Sequence, residues 1–186
     1  FGSVVRVGGD GSGQSKGRVR FVNNPFVLAS GEDATVFRIF DGIQSVEMHN
    51  NVIDVSAGGT ARIERTVEAV WTNGRQIHGS NNWIEAGSSF VPGEGEWSAT
   101  LSGRNPGFPN AAAFDFTPLG GSPLRNAGNN APASDAGFPF PGPTFPPAFH
   151  PQRASVPAAV ARGADGFIDI GAFEALSDLI FAHGFE

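Results

Sequence analysis

The sequence predicts an all-β fold, a right-handed single-stranded parallel β-helix whose coils are followed by a Pro/Gly-rich extended tail. Three observations lead there. The first is an Asn-Asn pair that recurs at coil-length spacing at Asn23-Asn24, Asn50-Asn51 and Asn81-Asn82, 27 residues apart (24 to 51) and then 31 (51 to 82). The second is composition: 26 Gly and 14 Pro demand many turns, while β-branched residues and 17 Phe favour strands. The third is that no segment between Arg18 and Val91 carries a long helical period; short alternating stretches such as VRFVNNPFVLASG and VEMHNNVIDVSAGG stand between Gly, Asn and Asp turns instead.

Recurrence at 20 to 50 residues marks stacked repeats. Each Asn pair precedes an apolar stretch: Pro25 to Leu28, Val52 to Val55, and Trp83 with Ile84. Between pairs, Phe40-Asp41-Gly42 is echoed by Thr72-Asn73-Gly74, so each repeat holds about three short strands, the content of one coil. Trp71 then aligns with Ile39, a core position. Coils stacked at the strand spacing of ~4.8 Å bury inward residues against the coils above and below. Val19, Phe21, Val46, Met48 and Ile77 are the expected inward set. An Asn at a coil corner can offer its amide to the Asn of the next coil, so Asn24, Asn51 and Asn82 are expected to form a structural ladder rather than a ligand site. A β-sandwich would also alternate, but has no reason to repeat Asn-Asn at coil length.

After Gly87 the repeat fades into Gly- and Pro-rich sequence. Phe138, Phe140, Phe145 and Phe149 in the Pro-rich stretch are expected to pack in part along the outside of the helix. GADGFIDIGAFE returns to alternation and reads as a final strand and a cap. The expected division is coils over 1–102, the helix end with its Pro/Phe-rich loop over 103–174, and a terminal tail or cap over 175–186. Strand-like sequence begins almost at Phe1, without an initiator Met, so further coils are expected upstream.

Composition also excludes chemistry. The net charge is -6 and the only Lys is Lys16, which opposes broad binding to nucleic acid or anionic membrane; a polyanion partner would need a local basic patch. Cys and Tyr are absent, removing disulfides, thiolates and phenolic acids or bases. No apolar run approaches the ~20 residues that span a bilayer. The segment from Gly8 to Gly13 is a single Gly-Asp stretch with no Gly-Lys-Ser/Thr, and reads as a turn. Without Cys or a calcium-type cluster of Asp and Glu, neither metal nor cofactor is expected.

Aligning coils on the Asn pairs places Arg20, Glu47 and His78 in one column, on the opposite face from Phe21 and Met48. Such a column can supply a base for the C5 proton of a uronate and a cation for its carboxylate, with Arg20 or His78 serving. The competing reading is a solvated sheet face with an Arg20–Glu47 pair worth ~0.2–1 kcal/mol. A polygalacturonase-like hydrolase would need acidic pairs on neighbouring coils, and no Asp-Asp, Gly-His-Gly or Arg-x-Lys occurs. Trp97, in a Gly-rich loop, is the candidate for stacking on a sugar ring.

At RNPGFPN, FDFTPLGGSPLRNAG and GADGFIDIGAFE the chain resembles the C-terminal end of bacterial pectin-lyase-like β-helix proteins that carry a choice-of-anchor Q domain. Pro106, Phe108, Leu119, Ser122, Pro123 and the run from Asp169 to Glu174 keep the pattern, while Asn105 stands where Asp is usual. The resemblance implies a secreted or cell-surface bacterial protein. DLIFAHGFE at the end resembles a terminal sorting tag of secreted proteins; alternatively, Leu179, Ile180 and Phe181 cap the open end of the stack. The leading expectation is a module for adhesion or extracellular polysaccharide binding without catalysis in this segment; the rivals are part of a polysaccharide lyase or related carbohydrate-active enzyme, and a purely structural stalk.

Overall fold

The three Asn pairs sit at one corner of the chain path. The first Asn of each pair takes the left-handed backbone conformation, with φ of 54° at Asn23, 55° at Asn50 and 52° at Asn81. Asn reaches this region more readily than other residues with a Cβ, because its short amide bonds locally. The computed structural model describes residues 2–8, 17–28, 34–40, 43–66, 77–90, 97–134, 137, 147–151, 160–163 and 166–175. Trp71, the turn at 72–74, Phe138, Phe140, Phe145 and the tail beyond 175 lie outside the described residues, as does the loop at 9–13.

Ten strands are described: β1 (Ser3–Val7), β2 (Gly17–Val22), β3 (Pro25–Leu28), β4 (Ala34–Ile39), β5 (Ile43–His49), β6 (Val52–Val55), β7 (Ala61–Thr66), β8 (Ile77–Ser80), β9 (Trp83–Glu85) and β10 (Leu101–Gly103). They form three parallel sheets, β1-β4-β7, β2-β5-β8 and β3-β6-β9-β10, and from β1 to β9 the chain visits each sheet in turn. The only helices among the described residues are 3₁₀ turns at Ser56–Gly58 and Ala111–Ala113. Among the described residues no helix is long and apolar enough to cross a membrane.

The main core lies between the sheets. Val46 and Met48 are fully buried, and Val19, Phe21 and Ile77 pack partly buried against the same cluster. Phe37 sits 5.1 Å from the ring of Phe21 and 5.0 Å from that of Phe26. In the third sheet, β6 and β9 are buried on both faces. Ile53 and Ile84 belong to the main core, whereas their neighbours Val52 and Trp83 form a second cluster with Leu124 and Ile170, joined by Phe108 and Ala127. Burial on both faces accounts for the unbroken apolar run from Val52 to Ile53.

The stack also outlasts its sequence signal. Ser98 bridges to Ser80 and β10 pairs with β9, although no Asn pair marks this circuit. Ala99 occupies the corner in its place, with φ of 49°, while Asn81 N donates to Ser98 O and Leu101 N to Asn82 O.

The terminal motif is not the expected strand. Residues 166–175 form bends in which Asp169 N donates to Glu174 Oε2, Gly171 takes φ of 104°, and Arg162 Nε pairs with Glu174 Oε1 at 2.5 Å. Burial does not follow the alternation in FIDIGAFE either: Asp169 and Gly171 are buried along with Ile168, Ile170 and Ala172, while Phe167 is exposed. Phe149 is also exposed rather than packed along the outside.

Candidate functional site

Parallel pairing between β2, β5 and β8 places Arg20 beside Glu47 and Glu47 beside His78. The expected column therefore exists, but it is not a solvated face. Glu47 is 0% exposed, and the Arg20 side chain 10%, because residues of the C-terminal segment lie over the sheet. Arg20 Nε donates to Glu47 Oε2 at 2.7 Å, and Arg20 Nη2 donates to Ser134 Oγ at 2.6 Å. Burial opposes the charge on Glu47, yet hydrogen bonds from Arg20 and Ser134 and the charge of Arg20 outweigh it, holding the carboxyl below its ordinary range.

Position i+2 on a strand shares the face of position i, so β5 adds His49 to the column. His49 Nε2 lies 3.3 Å from Glu47 Oε2 and His49 Nδ1 lies 2.9 Å from Ser80 Oγ. Burial pushes the imidazole down to about 4 against the pull of Glu47, leaving it neutral at pH 7. His78 Nε2 lies 3.6 Å from Glu47 Oε1, with its side chain 36% exposed. One ligand atom each from Glu47, His49 and His78 falls within 4.8 Å of the others. The sequence reading expected no set of metal ligands; it considered one position per coil and so missed His49.

Trp97 is a correction. Its indole is 5% exposed and packs edge-on against Phe37 and Phe90, so it cannot stack on a sugar. Gly79 stands in register with Met48 and leaves the inward column empty, and the indole fills that space: a Cβ on Gly79 would lie 2.8 Å from Trp97 Cγ.

The two members of each Asn pair divide their work. Asn24 Nδ2 donates to Asn51 Oδ1 at 3.1 Å and Asn51 Nδ2 to Asn82 Oδ1 at 3.1 Å, while the backbone N–H groups of Asn24 and Asn51 donate to the same oxygens. Asn51 and Asn82 also donate to Phe21 O and Met48 O, respectively. The first Asn of each pair faces the C-terminal segment instead. Asn23 Nδ2 donates to the carbonyls of Asp169 and Gly171, Asn50 Nδ2 to that of Asn129, and Asn81 Nδ2 to that of Ala127. Sequence reasoning assigned the pairs a single role and did not anticipate this clamp.

Two further groupings were not legible. Asp54 on β6 and Glu85 on β9 are an acidic pair on neighbouring strands; burial raises both carboxyls, and for Glu85 the charge of Asp54 adds to the rise while Arg104, 3.5 Å away, opposes it. Glu85 is 1% exposed, which keeps a polymer from reaching it. On the first sheet, Arg6, Arg38 and Arg65 stand in register on β1, β4 and β7. Arg6 and Arg65 are exposed, and the guanidiniums of Arg6 and Arg38 sit 4.9 and 5.1 Å from the ring centre of Phe40. This is the local basic patch that the acidic composition concealed.

No protein-family model, curated protein or solved structure matches the chain.

Proposed function

We propose that the chain is the C-terminal module of a right-handed parallel β-helix in a secreted or surface-associated bacterial protein, and that it binds acidic extracellular polysaccharide without catalysing its breakdown. The cyclic order of the three parallel sheets supports the solenoid reading, and the resemblance of the segments around Pro106, Ser122 and Asp169 to choice-of-anchor Q proteins supports the setting. The observation that carries the binding function is the column Arg6, Arg38 and Arg65. Parallel strands repeat at ~4.8 Å, so a polyuronate laid along the stacking direction meets one guanidinium per strand, a donor suited to two-pronged hydrogen bonding with carboxylate. The aromatic ring of Phe40 orients two of the three side chains. Against catalysis in this segment stands the closure of Glu47, which is 0% exposed beneath Ser134 and Arg20.

Polygalacturonate in affinity electrophoresis tests the reading. The chain should be retarded by polygalacturonate and not by a neutral glucan, with retardation fading as salt rises. Arg38→Gln together with Arg65→Gln should weaken binding by ~10-fold or more, since each lost charge-assisted bond is worth ~1.5–3 kcal/mol. Equal retardation of the double variant would sink the arginine column. Unsaturated product, followed by ultraviolet absorbance and abolished in His78→Ala, would establish the lyase alternative instead.

A further inference from the structure

We propose that Glu47, His49 and His78 form a binding site for a divalent first-row transition metal, zinc being the probe of choice. It is separate from the arginine column and does not rest on it. Two imidazoles and one carboxylate are a donor set that suits zinc and its neighbours in the first row, whereas calcium and magnesium prefer oxygen alone.

Geometry carries the inference. A tetrahedral zinc with ligands at ~2.0–2.1 Å holds neighbouring donors about 3.3 Å apart. The separations here are 3.3 Å from His49 Nε2 to Glu47 Oε2 and 3.6 Å from His78 Nε2 to Glu47 Oε1, so the carboxylate turns one oxygen toward each imidazole. One ligand atom from each of the three residues lies within 4.8 Å of the other two, so side-chain rotation has to close the remaining distance to a bound ion. A second observation points to a ligand as well: Glu47 Oε1 and His78 Nε2 are shielded from solvent, and neither has a hydrogen-bond partner. A buried carboxylate oxygen without a partner is costly, and a cation between it and His78 would satisfy both atoms.

The surroundings support the same assignment. Ser80 Oγ, 2.9 Å from His49 Nδ1, can accept a hydrogen bond from Nδ1–H in the tautomer that leaves the Nε2 lone pair for a metal; a hydrogen bond of this kind orients most ligating histidines. Three protein ligands leave a coordination position open, and the partly exposed His78 marks the side from which it is reached. Arg20 opposes the site, since its guanidinium shares Glu47 Oε2, so affinity in the micromolar range is expected rather than that of a structural zinc finger. A bound ion would tie β5 to β8 across neighbouring circuits, beneath the segment that Ser134 anchors.

The test is titration of the chelator-treated chain with zinc by calorimetry, paired with cobalt absorption as a report on coordination. One equivalent should bind, with cobalt giving visible bands of a nitrogen-oxygen site. His78→Ala, which alters a partly exposed side chain, should keep its melting temperature in chelator and lose at least ~10-fold in affinity, the loss that even outer-shell partners cause. His49→Ala should also lose affinity, with a lower melting temperature because its imidazole is buried and hydrogen-bonded, while His150→Ala and His183→Ala should leave binding unchanged. No saturable binding by the wild-type chain overturns the site, as does full affinity in His78→Ala or loss of affinity only in the His150 or His183 variants.

Discussion

Residues 3–103 and residues 104–175 are held together by different means. In the first region each strand repeats the bonding of the strand a circuit away, and Asn24, Asn51 and Asn82 extend that repetition to side chains. In the second, no strand occurs among the described residues and order comes from single polar groups, each with its own assignment. Ser122 Oγ donates to Pro106 O and accepts from Leu124 N. Asp169 accepts from the backbone of Asn126 and of Ala175. The buried Arg162 donates to the carbonyls of Asp169, Gly171 and Ala172. Repetition spreads a defect over neighbours, whereas a one-off bond has no substitute. The repetitive region should therefore lose stability as a whole when altered, and the irregular one should come away locally.

The largest expected effect tests a place where the repetitive region breaks its own rule. Glu64 on β7 is fully buried in register with Phe37, and neither oxygen has a hydrogen-bond partner. Burial pushes its carboxyl up to about 8 from 4.5, so it is protonated in the fold at neutral pH. The unfolded chain releases this proton above pH 4.5 while the folded chain keeps it. Stability is therefore highest below 4.5, falls as pH rises to about 8, and levels beyond. The swing is on the order of 4–5 kcal/mol for a shift of this size. Subtracting denaturation curves of Glu64→Gln from those of the wild-type chain between pH 4 and 9 isolates it from the other titrating groups. A pH-independent difference would mean that the carboxyl is solvated.

The next effect breaks the comparison directly. Asn51→Leu removes two donated and two accepted hydrogen bonds from a fully buried corner and should cost ~3 kcal/mol in global unfolding, leaving polygalacturonate affinity unchanged. Asp169→Ala removes two accepted bonds and should cost ~2 kcal/mol, expressed as local opening. Hydrogen exchange separates them: the Asn variant should lose protection throughout β2, β5 and β8, the Asp variant only in residues 104–175. Loss of protection in both regions for both variants would make the chain a single cooperative unit.

Legibility followed the same divide. The Asn pairs exposed the register of the second and third sheets because one residue type returned at one corner, which puts Arg20, Glu47 and His78 together from spacing alone. The Arg6, Arg38 and Arg65 column escaped because the first sheet has no such marker and its strands are followed by connections of unequal length, 8–16, 40–42 and 67–76. Closure of the Glu47 face could not be foreseen either: it depends on Ser134 returning across 114 residues to Arg20, a contact without period. Motif resemblance picked out Ser122 and Asp169 in the irregular region but said nothing of their hydrogen bonds, and the alternation in FIDIGAFE misled, since residues 168–172 are buried without a break and form no strand.

The smallest effect sharpens where the repetitive region ends. Ala99 takes the left-handed corner that Asn23, Asn50 and Asn81 take in earlier circuits, and its Cβ carries a penalty there of ~1–2 kcal/mol that Asn partly and Gly largely avoids. Ala99 is exposed, so substitution does not disturb packing. Ala99→Gly should raise stability by ~0.5–1 kcal/mol despite the greater freedom Gly gives the unfolded chain, because relief of the strained backbone exceeds that entropic cost. Ala99→Asn should gain a similar amount, and more if its amide reaches the C-terminal segment as Asn81 reaches Ala127. Thermal denaturation of the two variants decides between these terms. Equal gains mean that backbone strain alone is relieved, an excess for Asn means that the clamp extends to a fourth corner, and a loss in both would show that residues 97–103 do not continue the stack in solution.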